Sequence, residues 1–188
     1  SEIPMQGKTS FYAFGGYNAK KSDTYAFTRN WSARPERFPT DNNWKLTYIP
    51  SIMKVMADDT TFSPHIQTKV RDLSLSAGVK GTTGGGMNWD FSNTIGSNNF
   101  HFFGDKTFNA SLGSAQTHFD DGGFSFLQNT VNANFSKEMN SKTNLAFGAE
   151  YRYERYNLFS GEQGSYKNFS PNKFYLDGNG DRVYVAGG

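Results

Sequence analysis

The sequence predicts an all-β protein whose long antiparallel strands form a segment of a transmembrane β-barrel. Three observations support this fold class: strict alternation of apolar and polar residues, many aromatic residues within a polar average, and a regular succession of short turns and long loops. Of the 188 residues, 16% are aromatic, whereas the mean hydropathy is −0.67. Alternation explains both numbers, because each strand then carries one apolar face and one polar face.

The alternation predicts about five strands, and the stretch NLAFGAEYRYERY shows the pattern most clearly. The strands are expected at about 8–29, 67–81, 87–104, 123–137 and 142–160. Leu145, Phe147, Ala149, Tyr151 and Tyr153 share one face of the last strand. The apolar faces of the three preceding strands contain Leu73, Leu75, Ala77, Val79, Met87, Trp89, Phe91, Asn93, Ile95, Leu127, Val131, Ala133 and Phe135.

The residues opposite the apolar faces indicate which solvent meets each side. A soluble sheet and a membrane barrel both alternate, with the apolar face against a core in the first and against lipid in the second. The polar positions are mainly small side chains, such as Asn88, Ser92, Asn132 and Ser136. A soluble surface would carry more Lys and Glu. The pattern therefore favours a barrel with a wet lumen, and a soluble all-β glycan-binding module is the alternative.

Short turns and long loops alternate along the chain. The stretches GTTGGG (81–86) and EMNSK (138–142) are short turns, and the long loops are expected at about 30–66, 105–122 and 161–188. In outer-membrane barrels the short turns are periplasmic and the long loops extracellular. Within the first loop, IPSIMKVMADD predicts a short helix, because Ile49, Ile52, Met53 and Met56 share a helical face after Pro50. In the first strand, AKKSD is consistent with either a hairpin turn or one very long strand.

Five strands cannot close a barrel. Bacterial single-chain barrels have an even number of strands, from about eight upward, and unpaired strand edges are costly in lipid. We therefore expect this chain to be an arc of a larger barrel. Since no charged and apolar leader opens the sequence, we expect either a mature protein or a piece of a longer one. The abrupt start (SEIPMQGKTS) and end (DRVYVAGG) favour a piece.

Composition and motifs argue against several function classes. There is no Cys, so disulfides and thiolate metal sites are excluded, and the net charge of +2 gives no reason to expect nucleic acid. His65, His101 and His118 lie far apart in the sequence, so no metal site is expected from these alone. No nucleophile elbow or phosphate-binding loop is found. We expect neither an enzyme nor a cofactor.

The order of several stretches resembles the mid-barrel region of TonB-dependent outer-membrane receptors. They are FYAFGGYNAKKSDTYAFTR, GGMNWDFSNTIGSNNFHFF, TFNASLG, FDDGGFSFLQNTVNANFSKEM and LAFGAEYRYERYNLFSGEQGSY, within 8–166. The resemblance implies a 22-stranded barrel closed by an N-terminal plug domain. It implies uptake of a scarce ligand (a metal chelate, cobalamin or a glycan) into the periplasm, driven through TonB. The family topology also favours one long strand over a hairpin at AKKSD.

The resemblance implies the location and the partners of the protein. The location is the outer membrane of a Gram-negative bacterium. The partners are the lipid bilayer with its lipopolysaccharide, the plug and remaining strands of the same receptor, the TonB complex, and a small-molecule or glycan cargo. No segment of the chain matches the plug or the TonB-contacting region. A passive or structural barrel protein without a plug is therefore a further alternative.

Three groups of residues are candidate sites. Trp31, Arg34, Arg37, Trp44 and Tyr48 in the first loop are candidates for ligand capture, because aromatic and Arg residues anchor binding surfaces, or they pack the loop itself. Glu150, Arg152 and Glu154 face either the plug across the lumen or only water, as weak pairs. Asp177, Asn179 and Asp181 begin a calcium-loop pattern, but Arg182 replaces the Gly and no Glu follows, so a Gly-rich turn is the alternative.

Overall fold

The computed structural model describes residues 1–187 and consists mainly of β-strands in antiparallel sheets. The elements, in chain order, are β1 (Glu2–Pro4), β2 (Thr9–Tyr25), β3 (Arg29–Asn30), a 3-10 helix (Pro35–Arg37), β4 (Lys54–Met56), β5 (Asp59–Phe62), β6 (His65–Thr82), β7 (Met87–Asp105), β8 (His118–Asn140), β9 (Thr143–Ser160), α1 (Gln163–Tyr166), β10 (Phe174–Leu176) and β11 (Arg182–Tyr184). None of the described helices is long and apolar enough to cross a membrane.

The main sheet has six strands in the order β1-β2-β6-β7-β8-β9, and it is open. Cross-strand contacts define its register. Asn18 donates to Asp72 and Ser22 lies beside Thr68, so residue numbers rise along β2 as they fall along β6. Two smaller sheets have the orders β3-β5-β4 and β10-β11. The predicted all-β antiparallel class is therefore confirmed.

A long strand lies at each of the five predicted positions. The stretch AKKSD continues β2 without a turn, so the single long strand is observed and the hairpin is not. Strand β8 begins at His118, five residues before the predicted start. The pattern failed there because glycines at Gly122 and Gly123 interrupt the alternation. Strand β1, which pairs with Ser10–Tyr12 of β2, was not predicted.

The predicted helix in the first loop is wrong. Strands β4 and β5 form a tight hairpin in its place, with Met56 opposite Asp59. The two turn residues, Ala57 and Asp58, both have positive φ (49° and 65°), as the favoured two-residue hairpin turns require. Helical spacing of apolar residues was misleading because Met53 is buried in a local core and the residues after it extend.

The chain divides into two compact units. The strand unit consists of Ser1–Lys20, Val70–Asn99 and Phe124–Asn157. The loop unit consists of residues 21–69, 100–123 and 158–187. The short turns lie in the strand unit, whereas the three long loops lie in the loop unit.

The two faces of the strand unit differ in chemistry. On one face, Phe135 contacts Phe91 edge to face with ring centroids 5.6 Å apart, and it stacks on Phe147 at 5.2 Å. On the other face, the Tyr12 hydroxyl donates to the Asp90 carboxylate at 2.9 Å. Further polar contacts of that face include Lys80 to Glu2, Asn18 and Asn98 to Asp72, Ser76 to Thr94, and Thr82 to Asn88.

Candidate functional site in the loop unit

An aromatic core holds the loop unit together. Phe38 is fully buried, and its ring lies 5.1 Å from Phe62 and 5.9 Å from Phe108, centroid to centroid. Phe62 and Phe108 are 4.4 Å apart, and Met53 belongs to the same cluster. The cluster combines residues from 30–66 with one from 105–122. Burial of aromatic side chains therefore stabilises two of the three long loops as one body.

Asn109 joins the second loop to the third. Its side chain is 1% exposed, and its Nδ2 donates to the carbonyls of Gly164 (2.9 Å) and Lys167 (2.8 Å). Its Oδ1 accepts from the backbone N–H of Ser111 at 3.0 Å and from the Ser111 hydroxyl at 2.5 Å. Both N–H donors and both lone pairs of this buried amide are thus used, and two loop backbones are fixed.

The first and third loops meet at Trp44. Its indole N–H donates to the Phe174 carbonyl at 2.8 Å, and its ring packs edge to face on Tyr175 at 4.8 Å. Trp44 has a φ of 58°, in the left-handed region that bulky residues rarely adopt. Lys173 Nζ adds a hydrogen bond to the Thr40 carbonyl at 2.7 Å. Burial and the negative charges of Glu36 and Asp177 raise the pKa of Tyr175.

The aromatic candidates of the first loop serve its packing. Trp31 lies edge to face on Phe38, with ring centroids 5.6 Å apart. The Tyr48 hydroxyl donates to the Met53 carbonyl at 3.0 Å. Together with Trp44, these contacts agree with the packing alternative. A role in ligand capture stays a prediction for the exposed edges of these rings.

The Arg candidates point to solvent. Arg34 and Arg37 approach the Glu36 carboxylate at 3.8 and 3.9 Å, and both side chains are exposed. Pairs of this kind contribute little to stability. Both guanidinium groups are therefore available to a ligand in solution.

A cavity of about 320 Å³ lies beside the aromatic core. Phe108 and Phe119 contribute apolar side chains to its wall, Arg29 contributes a cation, and Asp121 contributes a carboxyl group. Burial lowers the pKa of Arg29, and the nearby positive charges of Arg37 and Arg34 lower it further. The negative charge of Glu36 acts in the opposite direction on this pKa, but within residues 1–187 no carboxylate lies within ion-pair distance of the Arg29 guanidinium. A partly buried cation of this kind, beside two others, is suited to an anionic or hydroxyl-rich ligand.

The charged ladder of β9 is a local ion-pair chain in the strand unit. Arg152 lies 2.8 Å from the Glu150 carboxylate and 3.9 Å from that of Glu154. All three side chains are about half exposed, so the pairs are weak. The geometry places one cation between two anions. A plug-facing role stays a prediction.

The calcium candidate forms the turn between β10 and β11. The Asp177 carboxylate accepts the backbone N–H groups of Asn179 and Asp181, each at 2.9 Å. Gly180 has a φ of 83°, which the turn requires. This geometry accounts for the motif as a Gly-containing hairpin turn. Calcium binding stays a prediction.

Sequence reasoning missed one constellation in the loop unit. Asp23, His65 and Asp105 place a ring nitrogen and two carboxylates within 4.8 Å of one another. The residues lie about forty positions apart in the chain. No rule of sequence spacing links these three residues. They can be brought together only by knowing how the strands that carry them pair.

No protein-family model, no curated protein and no solved structure matches this chain.

Proposed function

We propose that the chain is an arc of an outer-membrane β-barrel, with lipid on the face that carries Phe91, Phe135 and Phe147. The observation that carries this proposal is the exposure of that face. Leu75, Phe91, Val131 and Phe147 are each 45–57% exposed. Soluble monomers rarely expose contiguous apolar patches of more than a few hundred Å². An apolar sheet face of this extent is suited to contact with the hydrocarbon of a bilayer.

The length of the apolar face supports a bilayer. In each of four strands the odd-numbered residues are uncharged over nine positions: 73–81, 87–95, 127–135 and 145–153. Nine residues at about 3.3 Å each span roughly 30 Å of strand. A transmembrane strand needs about 9–11 residues at its usual tilt. The only odd-numbered amides within these windows, Asn93 and Asn129, bond each other reciprocally at 3.1 Å, which reduces their cost in lipid.

The opposite face is suited to a wet lumen. The charged residues within the same windows are Lys80, Asp90, Glu150 and Arg152, all at even positions. The far edge of β9 has no strand partner within the described residues. Backbone groups left unpaired in lipid cost several kcal/mol each, so further strands of a larger barrel complete the structure.

We infer further that the barrel is that of a TonB-dependent receptor in the bacterial outer membrane. The resemblance of the stretches within 8–166 supports this assignment. The compact loop unit, with the Arg29 cavity and the exposed Arg34 and Arg37, supplies a ligand-capture surface. Cargo of acidic or hydroxyl-rich character fits that chemistry. The plug, the remaining strands and TonB are the partners that this assignment requires.

Single-cysteine labelling tests the membrane proposal. Val131→Cys and Phe147→Cys are compared with Asn132→Cys and Ser92→Cys in the complete gene product, expressed in outer membranes. A polar maleimide should label the even positions and leave the odd positions unmodified until detergent is added. Efficient labelling of all four in a protein that dissolves without detergent would refute the proposal and favour a soluble glycan-binding module.

Uptake measurements test the transporter assignment separately. Cells that express the complete gene product should take up the cargo only when TonB is functional. Uptake or ion conductance that persists without TonB would instead identify a passive pore.

A further inference from the structure

Three side chains from adjacent strands converge where β2 and β7 end and β6 begins. Asp23 lies near the end of β2, His65 is the first residue of β6, and Asp105 is the last residue of β7. The sheet order β2-β6-β7 makes these strands neighbours. Nδ1 of His65 and one carboxylate oxygen from each aspartate lie within 4.8 Å of one another. Within residues 1–187 this is the one group of three such ligands.

The two carboxylates share the side-chain amide of Gln67 as a hydrogen-bond donor. Asp23 Oδ1 lies 2.6 Å from His65 Nδ1. The Gln67 amide nitrogen donates to Asp23 at 2.9 Å and to Asp105 at 3.2 Å. An amide provides only partial positive charge between two anions, and a divalent cation would compensate their repulsion far more strongly. Asp105 also lies 3.2 Å from Nδ1 of His118, an arrangement that orients a metal-ligating carboxylate.

The burial of the three groups suits capture of an ion from solvent. The His65 side chain is 8% exposed and packs against the Tyr25 ring at 4.3 Å, so its position is fixed. The Asp23 and Asp105 side chains are 48% and 25% exposed, so they can move toward an ion. His65 also lines two cavities, of about 320 and 310 Å³.

We propose that Asp23, His65 and Asp105 form a binding site for a first-row divalent cation, with Zn²⁺ as its representative. One imidazole nitrogen and two carboxylate oxygens are the ligand set of such ions, whereas Ca²⁺ requires six to eight oxygens. Ligand atoms around tetrahedral zinc lie roughly 3.3 Å apart. His65 Nδ1 and Asp23 Oδ1, now 2.6 Å apart, would therefore separate slightly on binding, and the partly exposed aspartates need only small movements. The bound ion would tie three neighbouring strands together.

The pair His101 and Asp120 provides a matched control. His101 Nε2 lies 2.8 Å from the Asp120 carboxylate, a distance close to that between His65 and Asp23. No second carboxylate completes a three-ligand group there within the described residues. A His–Asp hydrogen bond alone should not hold zinc, so the two pairs separate a metal site from an ordinary polar contact.

The test is a zinc titration by isothermal calorimetry on the complete gene product, without a polyhistidine tag and after removal of metal with a chelator. The protein is used in detergent or in buffer, whichever keeps it folded. The result therefore does not depend on the membrane proposal. We expect one Zn²⁺ per chain, no saturable Ca²⁺ binding, and a rise in the melting temperature with zinc.

The variants Asp23→Asn and Asp105→Asn keep side-chain size and should weaken zinc binding at least about tenfold, as should His65→Gln. His101→Gln should bind zinc as the wild type does. Circular dichroism confirms that each variant is folded, and the two Asn variants suffice should His65→Gln fail to fold. Absence of saturable zinc binding by the folded wild type, or wild-type affinity in both Asn variants, would overturn the proposal.

Discussion

At the scale of single residues, position parity decides on which face of the sheet each side chain lies. Val131 and Asn132 are consecutive residues of β8 whose side chains point to opposite faces of the sheet. Val131 belongs to the exposed apolar face, and Asn132 belongs to the polar face. This adjacency makes them a sensitive pair for testing the proposed membrane orientation.

We expect Val131→Arg to block assembly in the outer membrane and Asn132→Arg to be tolerated. An Arg facing lipid near the bilayer midplane costs about 2–4 kcal/mol, whereas one facing a wet lumen does not. The amount of folded, heat-modifiable protein in outer membranes measures the effect. Normal assembly of Val131→Arg, or complete loss of Asn132→Arg, would contradict the orientation.

Asn109 joins the second long loop to the third through its side-chain hydrogen bonds. We expect Asn109→Ala to leave the carbonyls of Gly164 and Lys167 without their donor, at a cost of about 1–3 kcal/mol for each buried group. Hydrogen exchange should then speed up in residues 105–117 and 161–170. Asn179→Ala, at an exposed turn, is the control and should leave exchange there unchanged.

At the scale of elements, close contacts between strands restrict individual glycines. A Cβ on Gly78 of β6 would lie 2.6 Å from the Tyr12 ring and 2.8 Å from the Phe91 carbonyl. The ring lies over this glycine and reaches Asp90 beyond it. A Cβ on Gly96 of β7, in contrast, would have no heavy atom within 4 Å. Glycine is therefore needed for packing at one strand position and not at the other.

We expect Gly78→Ala to destabilise the protein by about 1–3 kcal/mol, because the new methyl group displaces Tyr12 from Asp90. Gly96→Ala should change stability by no more than about 0.5 kcal/mol. Thermal unfolding midpoints in detergent compare the two variants. Equal midpoints would show that the Tyr12 contact carries no stability.

At the scale of the whole molecule, the chain combines a strand unit with an exposed apolar face and a loop unit with a core of its own. The loop unit hides Phe38, Phe62 and Phe108 from water, while Phe91 and Phe147 of the strand unit stay accessible. Aromatic residues thus have two different uses in one chain. Burial of the first group of rings stabilises the loop unit through the hydrophobic effect. The exposed rings of the strand unit are available for the proposed contact with lipid.

We expect Phe38→Ala to destabilise the loop unit by about 3–5 kcal/mol, the usual cost of removing a fully buried Phe. Hydrogen exchange should rise in residues 30–66 and 105–117, while strands of the strand unit keep their protection. Phe27→Ala is the control, since that side chain is 94% exposed. Uniform loss of protection throughout the chain would show that the two units unfold as one.

How much of this architecture could be predicted from sequence depends on the range of the interactions. The five long strands follow from alternation, which is a local property of each strand. The helix predicted around Ile52 failed, because Ala57 and Asp58 form a hairpin turn that apolar spacing does not register. Trp44 was a candidate either for ligand capture or for packing of the first loop, and only the structure shows that its indole N–H bonds to the Phe174 carbonyl, 130 residues away.

The sequence by itself determined the strands and the face on which each of their side chains lies, because successive residues of a strand point to opposite sides whatever the strand pairs with. Only the tertiary structure decided that two long loops share one aromatic core, that Asn109 and Trp44 join the third loop to them, and that Asp23, His65 and Asp105 meet. Those contacts depend on the register of neighbouring strands and on closure of loops tens of residues long. Neither property is encoded in a short window of sequence.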